Sequence, residues 1–328
     1  MQHPRKYIFG PVPSRRLGRS LGVDVIPRKL CTLDCLYCEV GRTDKRALRR
    51  KEYIPAGEII AEIRAALSES GEIDTVTFSG SGEPTLNSKL GEMIRAVKSF
   101  SSVPVAVITN GTLLYLRDVR YDLLAADIVL PSLDAITPSV FEHLNRPHPG
   151  LDLCSILDGL KSFRGEFGGQ IWLEILFAKG YNDGEDEIER MKKVIDEIKP
   201  DRIQLNTVIR PPAEAYCEPV DEERLKEIKR LLGQTCEIIG AALGRPTSAV
   251  RVVDYGEIVG LLQRRSMTVD ETALALGFPR LDALIALGVL EEQGLVESFY
   301  HFDVKYYRAL VGASRLERRK MTFQVHLN

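Results

Sequence analysis

The chain predicts an α/β protein, a partial TIM-like (βα)6 barrel followed by a small winged helix-turn-helix domain. Three observations carry this prediction. Short β-branched runs alternate six times with helix-period patterns between residues 21 and 232. Polar motifs fall at the C-terminal ends of those runs, where parallel sheets bind ligands. After about residue 245 the pattern changes to three short helices and an aromatic-rich pair of strands. Six units are too few for a closed eight-stranded barrel.

Taken in order, residues 9–19 (FGPVPSRRLGR) are rich in Pro, Gly and Arg and predict an ordered loop. LGVDVIP (21–27) alternates Leu21, Val23 and Val25 with smaller residues, a strand signal that leads into a cysteine-bearing loop. RTDKRALRRK (42–51) predicts an exposed basic connection. The helix PAGEIIAEIRAAL starts on Pro55 and places Ile59, Ile60, Ile63 and Leu67 on one side. The strands IDTVTFSG (73–80), PVAVITNG (104–111), DIVLPSLD (127–134), QIWLEILF (170–177) and DRIQLNTV (201–208) follow. Helices are expected between them near 86–100, 113–125, 137–146 with 151–164, and 185–198. The last of these sets Ile188, Met191, Val194, Ile195 and Ile198 on one face, and a helix at 221–232 ends the series.

Residues 1–245 form the expected barrel domain, GRPTSAVR (244–251) a linker, 250–312 the second domain and 313–328 a C-terminal tail. Within the second domain, Thr268 and Glu271 make a capping box and Gly277 closes that helix. LVESFYHFDVKYYRAL (295–310) has the pattern of a two-stranded wing. Its second helix, PRLDALIALGVLEEQG, is apolar and acidic after Arg280, and residues 251–328 balance ten Lys/Arg against ten Asp/Glu. A DNA-reading helix wants a basic face, so a protein contact or a cover over the substrate is expected instead.

The composition, 44% hydrophobic and 27% charged, is that of a soluble globular chain. No run approaches eighteen apolar residues and the N-terminus lacks the apolar core of a signal peptide, so a cytoplasmic protein without a membrane span is expected. Charge is uneven: residues 1–51 carry thirteen Lys/Arg against four Asp/Glu, in a chain of net charge −2. That region could attract an anionic substrate, or be an ordinary solvated face.

The chemistry centres on CTLDCLYC, where Cys31, Cys35 and Cys38 stand in C-x3-C-x2-C spacing and make up half of the six cysteines. In a reducing compartment such clustering points to metal rather than disulfides. Three thiolates are one short of a closed Fe–S or zinc site, which leaves a metal open to a small molecule. The competing possibility is a zinc site completed by Cys154, Cys217, Cys236 or a histidine. Cys154 otherwise reads as a core residue of its helix.

The cysteine spacing with Tyr37 resembles the signature of the radical S-adenosylmethionine (SAM) superfamily, over residues 20–235 or so. FSGSGEPTL (78–86) resembles the family's glycine-glycine-glutamate motif, with Ser81 between Gly80 and Gly82 as a departure. SLD (132–134) resembles its ribose-binding position, and ITNG (108–111) ends the third strand on the same side. FGPVPSRRLGRSLGVD and CEVGRT are similar to the wyosine-synthase-like branch, whose best-known members modify guanosine in tRNA. The resemblance implies a [4Fe–4S] cluster on Cys31, Cys35 and Cys38, and SAM held near Tyr37, Gly80, Gly82, Glu83, Asn110, Ser132 and Asp134. Tyr37 would lie by the adenine and Glu83 by the SAM ammonium; for Ser132 and Asp134 the alternative is helix capping.

It further implies an oxidoreductase needing an external electron donor and acting on RNA, a peptide or protein, or a small metabolite. Asn206, Arg210 and the stretch LFAKGYND (176–183) are further candidates at the same mouth, with Arg15, Arg16 and Arg19 for anion binding. A reading of another class is a regulator in which cluster or zinc occupancy acts through the winged helix.

Overall fold

Six of the eight strands in the central sheet are those the hydrophobic pattern predicts. In the computed structural model, described for residues 5–43, 45–69, 72–233, 235–239 and 255–310, the strands are β1 (Ile8–Ser14), β2 (Gly18–Asp24), β5 (Thr75–Ser79), β6 (Val105–Thr109), β7 (Ile128–Pro131), β8 (Gln170–Phe177), β9 (Arg202–Thr207) and β10 (Cys236–Ile238). The short strands β3 (Leu30–Cys31) and β4 (Lys45–Arg46) pair separately in the cysteine loop. The main sheet runs β1-β2-β5-β6-β7-β8-β9-β10, parallel throughout except for β1, so both edges stay open.

Two strands escape the sequence reading. The stretch expected as a loop forms β1, with Ile8 opposite Val23 and Ser14 opposite Gly18, and a register shift between Phe9 and Val12. Pro11 and Pro13 are tolerated because β1 is an edge strand, and the irregularity absorbs the residues that cannot follow the ladder. A Cβ on Gly22 would lie 2.0 Å from the Phe9 ring, so this packing requires glycine in β2. β10 is only three residues long and carries no periodicity to read.

The helices α1 (Ala56–Glu69), α2 (Leu90–Phe100), α3 (Arg117–Leu123), α5 (Leu153–Glu166), α6 (Glu185–Ile198) and α7 (Glu222–Leu232) cover the outer face. The region 137–146 is not one helix but a single turn, α4 (Pro138–Val140), running into a wider π turn over Phe141–Asn145. Alternate strand residues (Val76, Phe78, Val107, Val129, Leu173, Ile175, Leu205) are fully buried against the helices. Each contributes about 1.5–3 kcal/mol of burial. The other alternate set faces inward. Leu17, Ala106, Leu130 and Trp172 fill the base of the barrel, while Ser20 and Thr77 hydrogen-bond between the neighbouring strands β2 and β5 at 2.7 Å.

Cys154 is exposed rather than core: α5 buries Leu153, Ile156, Leu160 and Phe163, and position 154 falls outside that stripe. The basic connection is partly internal too, since Arg50 ion-pairs with Asp118 and with Asp122 and donates to the Thr85 carbonyl at 2.8 Å.

The C-terminal part consists of α8 (Tyr255–Arg264), α9 (Val269–Leu276), α10 (Arg280–Glu292) and the antiparallel pair β11 (Val296–His301) and β12 (Val304–Ala309). The Thr268–Glu271 capping box forms and Gly277 ends α9 at φ 70°. α9 and α10 meet at 111°, within the usual range for a helix-turn-helix. This part has its own apolar core, which Val12 of β1 joins and Phe9 packs against. The expected linker and the 313–328 tail lie outside the described residues, as do the boundaries at 245 and 250. Among the described residues no single helix is long and apolar enough to cross a membrane.

Candidate active site

The cysteine loop leaves the C-terminal end of β2 and is held at both sides. Pairing of β3 with β4 fixes one flank. The segment 144–148 fixes the other: Asp34 N donates to the Asn145 carbonyl at 3.0 Å, Leu36 N to Leu144, and His148 N to Thr32. Cys31, Cys35 and Cys38 line one cavity of about 100 Å³ together with Lys29, Gly80, Ser81 and Gly82. The loop and the glycine turn, fifty residues apart in sequence, thus share one space.

Contacts behind the cavity require glycine at 82 and crowd position 80. A Cβ on Gly82 would lie 2.0 Å from the Leu30 carbonyl oxygen, and one on Gly80 would lie 2.8 Å from Asp24 Oδ1. Ser81, the departure from the family pattern, donates through Oγ to Asp24 Oδ2 at 2.8 Å. Burial pushes the Asp24 carboxyl up, with Arg264 opposing.

Two of the three thiols face a side-chain amide donor. Asn110 Nδ2 lies 3.4 Å from Cys31 Sγ and donates to Thr32 Oγ1 at 2.7 Å. Asn145 Nδ2 lies 3.4 Å from Cys35 Sγ and also faces Tyr37 Oη at 3.2 Å and Asp134 Oδ2 at 3.1 Å. Asn145 Oδ1 is buried without a partner. Burial, with Glu83 nearby, pushes the Cys31 thiol up to about 12, and burial also raises Cys35 and Cys38. Cluster-free, these thiols hold their protons, so metal uptake must release them.

Glu83 is 1% exposed. Its Oε1 accepts from Thr85 N, Thr85 Oγ1 and Thr109 Oγ1, and Oε2 from Asn110 N at 2.8 Å. One lone pair of Oε2 is left for a further donor. Burial pushes this carboxyl up, against those hydrogen bonds. Asp134 accepts from Tyr37 Oη at short range and from Leu176 N at 2.9 Å, and burial raises it to about 6. It orients Tyr37 rather than lying open. Ser132 is half-buried, and its hydroxyl bonds to no described residue.

Of the weaker candidates, Asn182 in LFAKGYND is structural, holding the Asp134 and Leu176 carbonyls. Arg15 lies by Asn206 and Arg16 pairs with Glu174 at the inner face, whereas Arg19, at the N-terminal end of β2, donates its backbone N–H to Asp74. His148 accepts from Gly150 N and His143 lies by the Ser139 carbonyl, away from the thiols. Asn145 is the site residue the sequence reading missed. Its signal is faint: an Asn two residues before Pro147, where Arg146 adopts φ 44° and ends the π turn.

The radical SAM superfamily model matches residues 25–194. A UPF0026 protein of Methanocaldococcus jannaschii is 37% identical over 234 residues, 71% of this chain and 72% of that protein. A protein of Brachyspira hyodysenteriae named GTPase Obg is 36% identical over 294 residues, 89% of this chain but only 43% of its own length. Among solved structures, a radical SAM methyltransferase from Sphaerobacter thermophilus superposes with a TM-score of 0.51 at 20% identity, covering 67% of this chain and 66% of that one. That likeness concerns the fold.

The residues present fit an open iron–sulfur cluster. Three half-buried cysteines, two of them with an amide donor on sulfur, line a common void that no described carboxylate or imidazole lines with them. No group of three or more His, Cys, Asp or Glu among the described residues converges as a single-ion site. A cluster spreads its thiolate ligands over separate irons and needs no such single point of convergence.

Proposed function

The chain belongs to the radical SAM superfamily, and from that premise we propose that it reductively cleaves SAM at a [4Fe–4S] cluster held by Cys31, Cys35 and Cys38. It is an enzyme whose cofactors are that cluster and SAM, and it draws on an external electron donor. When bound, the cluster supplies the electron that splits SAM into methionine and a 5′-deoxyadenosyl radical able to abstract a hydrogen atom from a substrate. The observation that carries the assignment is the shared cavity of three cysteines and the Gly80–Gly82 turn.

The protein's part is positioning and electrostatics. Asn110 and Asn145 place N–H groups on two of the three sulfurs, which stabilises negative charge there and tunes the potential. Glu83 offers the remaining Oε2 lone pair to the ammonium of SAM. Tyr37, with its hydroxyl taken by Asp134, presents its ring toward the adenine. Ser132 brings a free hydroxyl for the ribose. The 250–312 domain, read as a winged helix, serves as a cover, and the reducing cytoplasm keeps the thiols available.

As substrate, RNA ranks first, on the resemblance to the wyosine-synthase-like branch and on exposed Arg28, Lys45, Arg49 and Lys51 beside the cysteine loop. Anaerobic reconstitution with iron and sulfide, then dithionite and SAM, should yield 5′-deoxyadenosine. Replacing all three cysteines with Ala should abolish iron uptake and nucleoside release together; iron uptake unchanged by that replacement would sink the assignment. RNA affinity should fall steeply between 50 and 200 mM salt, and a flat response removes RNA as substrate.

A further inference from the structure

Behind the glycine turn, a side chain of the C-terminal helices reaches into the barrel wall. Arg264 is the last residue of α8. Its guanidinium lies over the Phe9 ring, 4.6 Å from the centroid, and its Nη1 donates to the Gly260 carbonyl at 2.7 Å. Phe9 stands opposite Gly22 in the β1–β2 register, where a Cβ would collide with the ring. Two residues further along β2 is Asp24, whose Oδ2 lies 3.7 Å from Arg264 Nε. Both side chains are largely withdrawn from water, at 21% and 13% exposed.

Asp24 in turn holds Ser81 twice. Ser81 N donates to Oδ1 at 3.2 Å and Ser81 Oγ to Oδ2 at 2.8 Å. Gly80 passes so close that a Cβ there would lie 2.8 Å from Asp24 Oδ1. Gly80, Ser81 and Gly82 all line the cavity that holds the three cysteines. Arg264, Asp24 and Ser81 thus connect α8 to the wall of that cavity by direct contacts. Ser81 is the departure from the family's glycine pattern, and its hydroxyl has a use here: it makes the second of the two bonds to Asp24.

A carboxylate accepts at both oxygens while ionised; once protonated, one oxygen becomes a donor. Burial favours the protonated form of Asp24, and the Arg264 charge opposes it. Among the described residues Asp24 has no other ion-pair partner. Removing Arg264 leaves a buried acid without a cation, which loosens its double hold on Ser81. We propose that Arg264 and Asp24 are positioning residues for SAM: they fix the Gly80–Gly82 turn from behind, so that the C-terminal helices take part in SAM binding beyond serving as a cover. That the turn receives SAM rests on the radical SAM reading; that Arg264 fixes the turn through Asp24 does not.

The test measures SAM affinity of the anaerobically reconstituted holoenzyme by calorimetry, with iron content and 5′-deoxyadenosine release alongside. Arg264→Gln should weaken SAM binding about tenfold at unchanged iron content, raising KM for SAM more than it lowers kcat. Arg264→Lys, which keeps a cation beside Asp24, should lose less. Ser81→Ala should weaken binding too, and the double variant R264Q/S81A should be little worse than R264Q alone, because both act through Asp24. Arg280→Gln, in α10 and paired with Asp270 at the surface, should change nothing. Without SAM, amide exchange over residues 79–83 should quicken in R264Q and not in R280Q. If R264Q does not fold by circular dichroism, Asp24→Asn should show the same losses in its place. Equal SAM affinity in wild type and R264Q, equal losses in R264Q and R280Q, or additive losses in the double variant overturn the proposal. So does unaltered exchange at the turn, or a loss of iron that accounts for the loss of SAM. Failure of the wild type to bind SAM, with the turn loosened by R264Q, overturns the radical reading alone.

Discussion

Asp134 shows how one residue carries both stability and site geometry. Burial raises its carboxyl from the ordinary 3.8 to about 6, against the hydrogen bonds it accepts from Tyr37, Leu176 and Asn145. The native state therefore holds this proton to higher pH than the unfolded chain does. The stabilisation is full below about pH 4 and is lost as the pH rises through about 6. Cluster-free wild type should lose stability relative to Asp134→Asn across that window, by up to about 1.4 kcal/mol per pH unit; parallel denaturant midpoints for the two proteins across pH 4–6 would refute this. Gly82 makes a second residue-scale prediction. Its Cβ would lie 2.0 Å from the Leu30 carbonyl oxygen, one residue before Cys31. Gly82→Ala should cost about 1–3 kcal/mol of overpacking and displacement and lower the iron bound per chain after reconstitution. Unchanged stability and iron content would show that the turn yields without moving the loop. The sequence pointed to both residues by resemblance, but it could not show that Leu30 demands Gly82 and Asp24 crowds Gly80, nor that Asp134 bonds to Tyr37.

Among the elements, α9 joins local and distant roles in one side chain. The capping box of Thr268 and Glu271 was legible, because a cap is a contact three residues long. What the pattern could not reveal is that Glu271 Oε1 also accepts from Arg210, sixty-one residues away, which in turn holds Glu39 of the cysteine loop. Arg210 is nearly buried, and removing it leaves two carboxylates facing each other. Arg210→Met should cost about 3–5 kcal/mol and speed amide exchange in α9 more than in α6; uniform protection in both helices would argue against a coupling of cover and loop. α10 shows the opposite case. Its outward residues Leu281, Leu284 and Ile285 are 63%, 40% and 52% exposed. That outward face is apolar, unlike the basic face that a DNA-reading helix presents.

For the whole molecule, the beat of strand and helix was enough to identify six parallel strands and their helices, because each rests on a period of 2 or 3.6 within about fifteen residues. β1 and β10 were not legible: the first is full of Pro and Gly that only an edge position excuses, and the second is too short to show a period. The identity of the cysteine loop, the glycine–glutamate turn and the change of pattern near residue 245 belong to the sequence alone, since motif spacing and periodicity are local properties. Tertiary structure decided the rest. It brought Asn145 to Cys35, folded Arg15 and Arg16 against the inner face, and set the C-terminal helices on β1 and over Arg210. Those pairings join residues tens to hundreds of positions apart. They follow from which strand lies next to which and from where charges withdrawn from water find partners, and no periodicity along the chain records either.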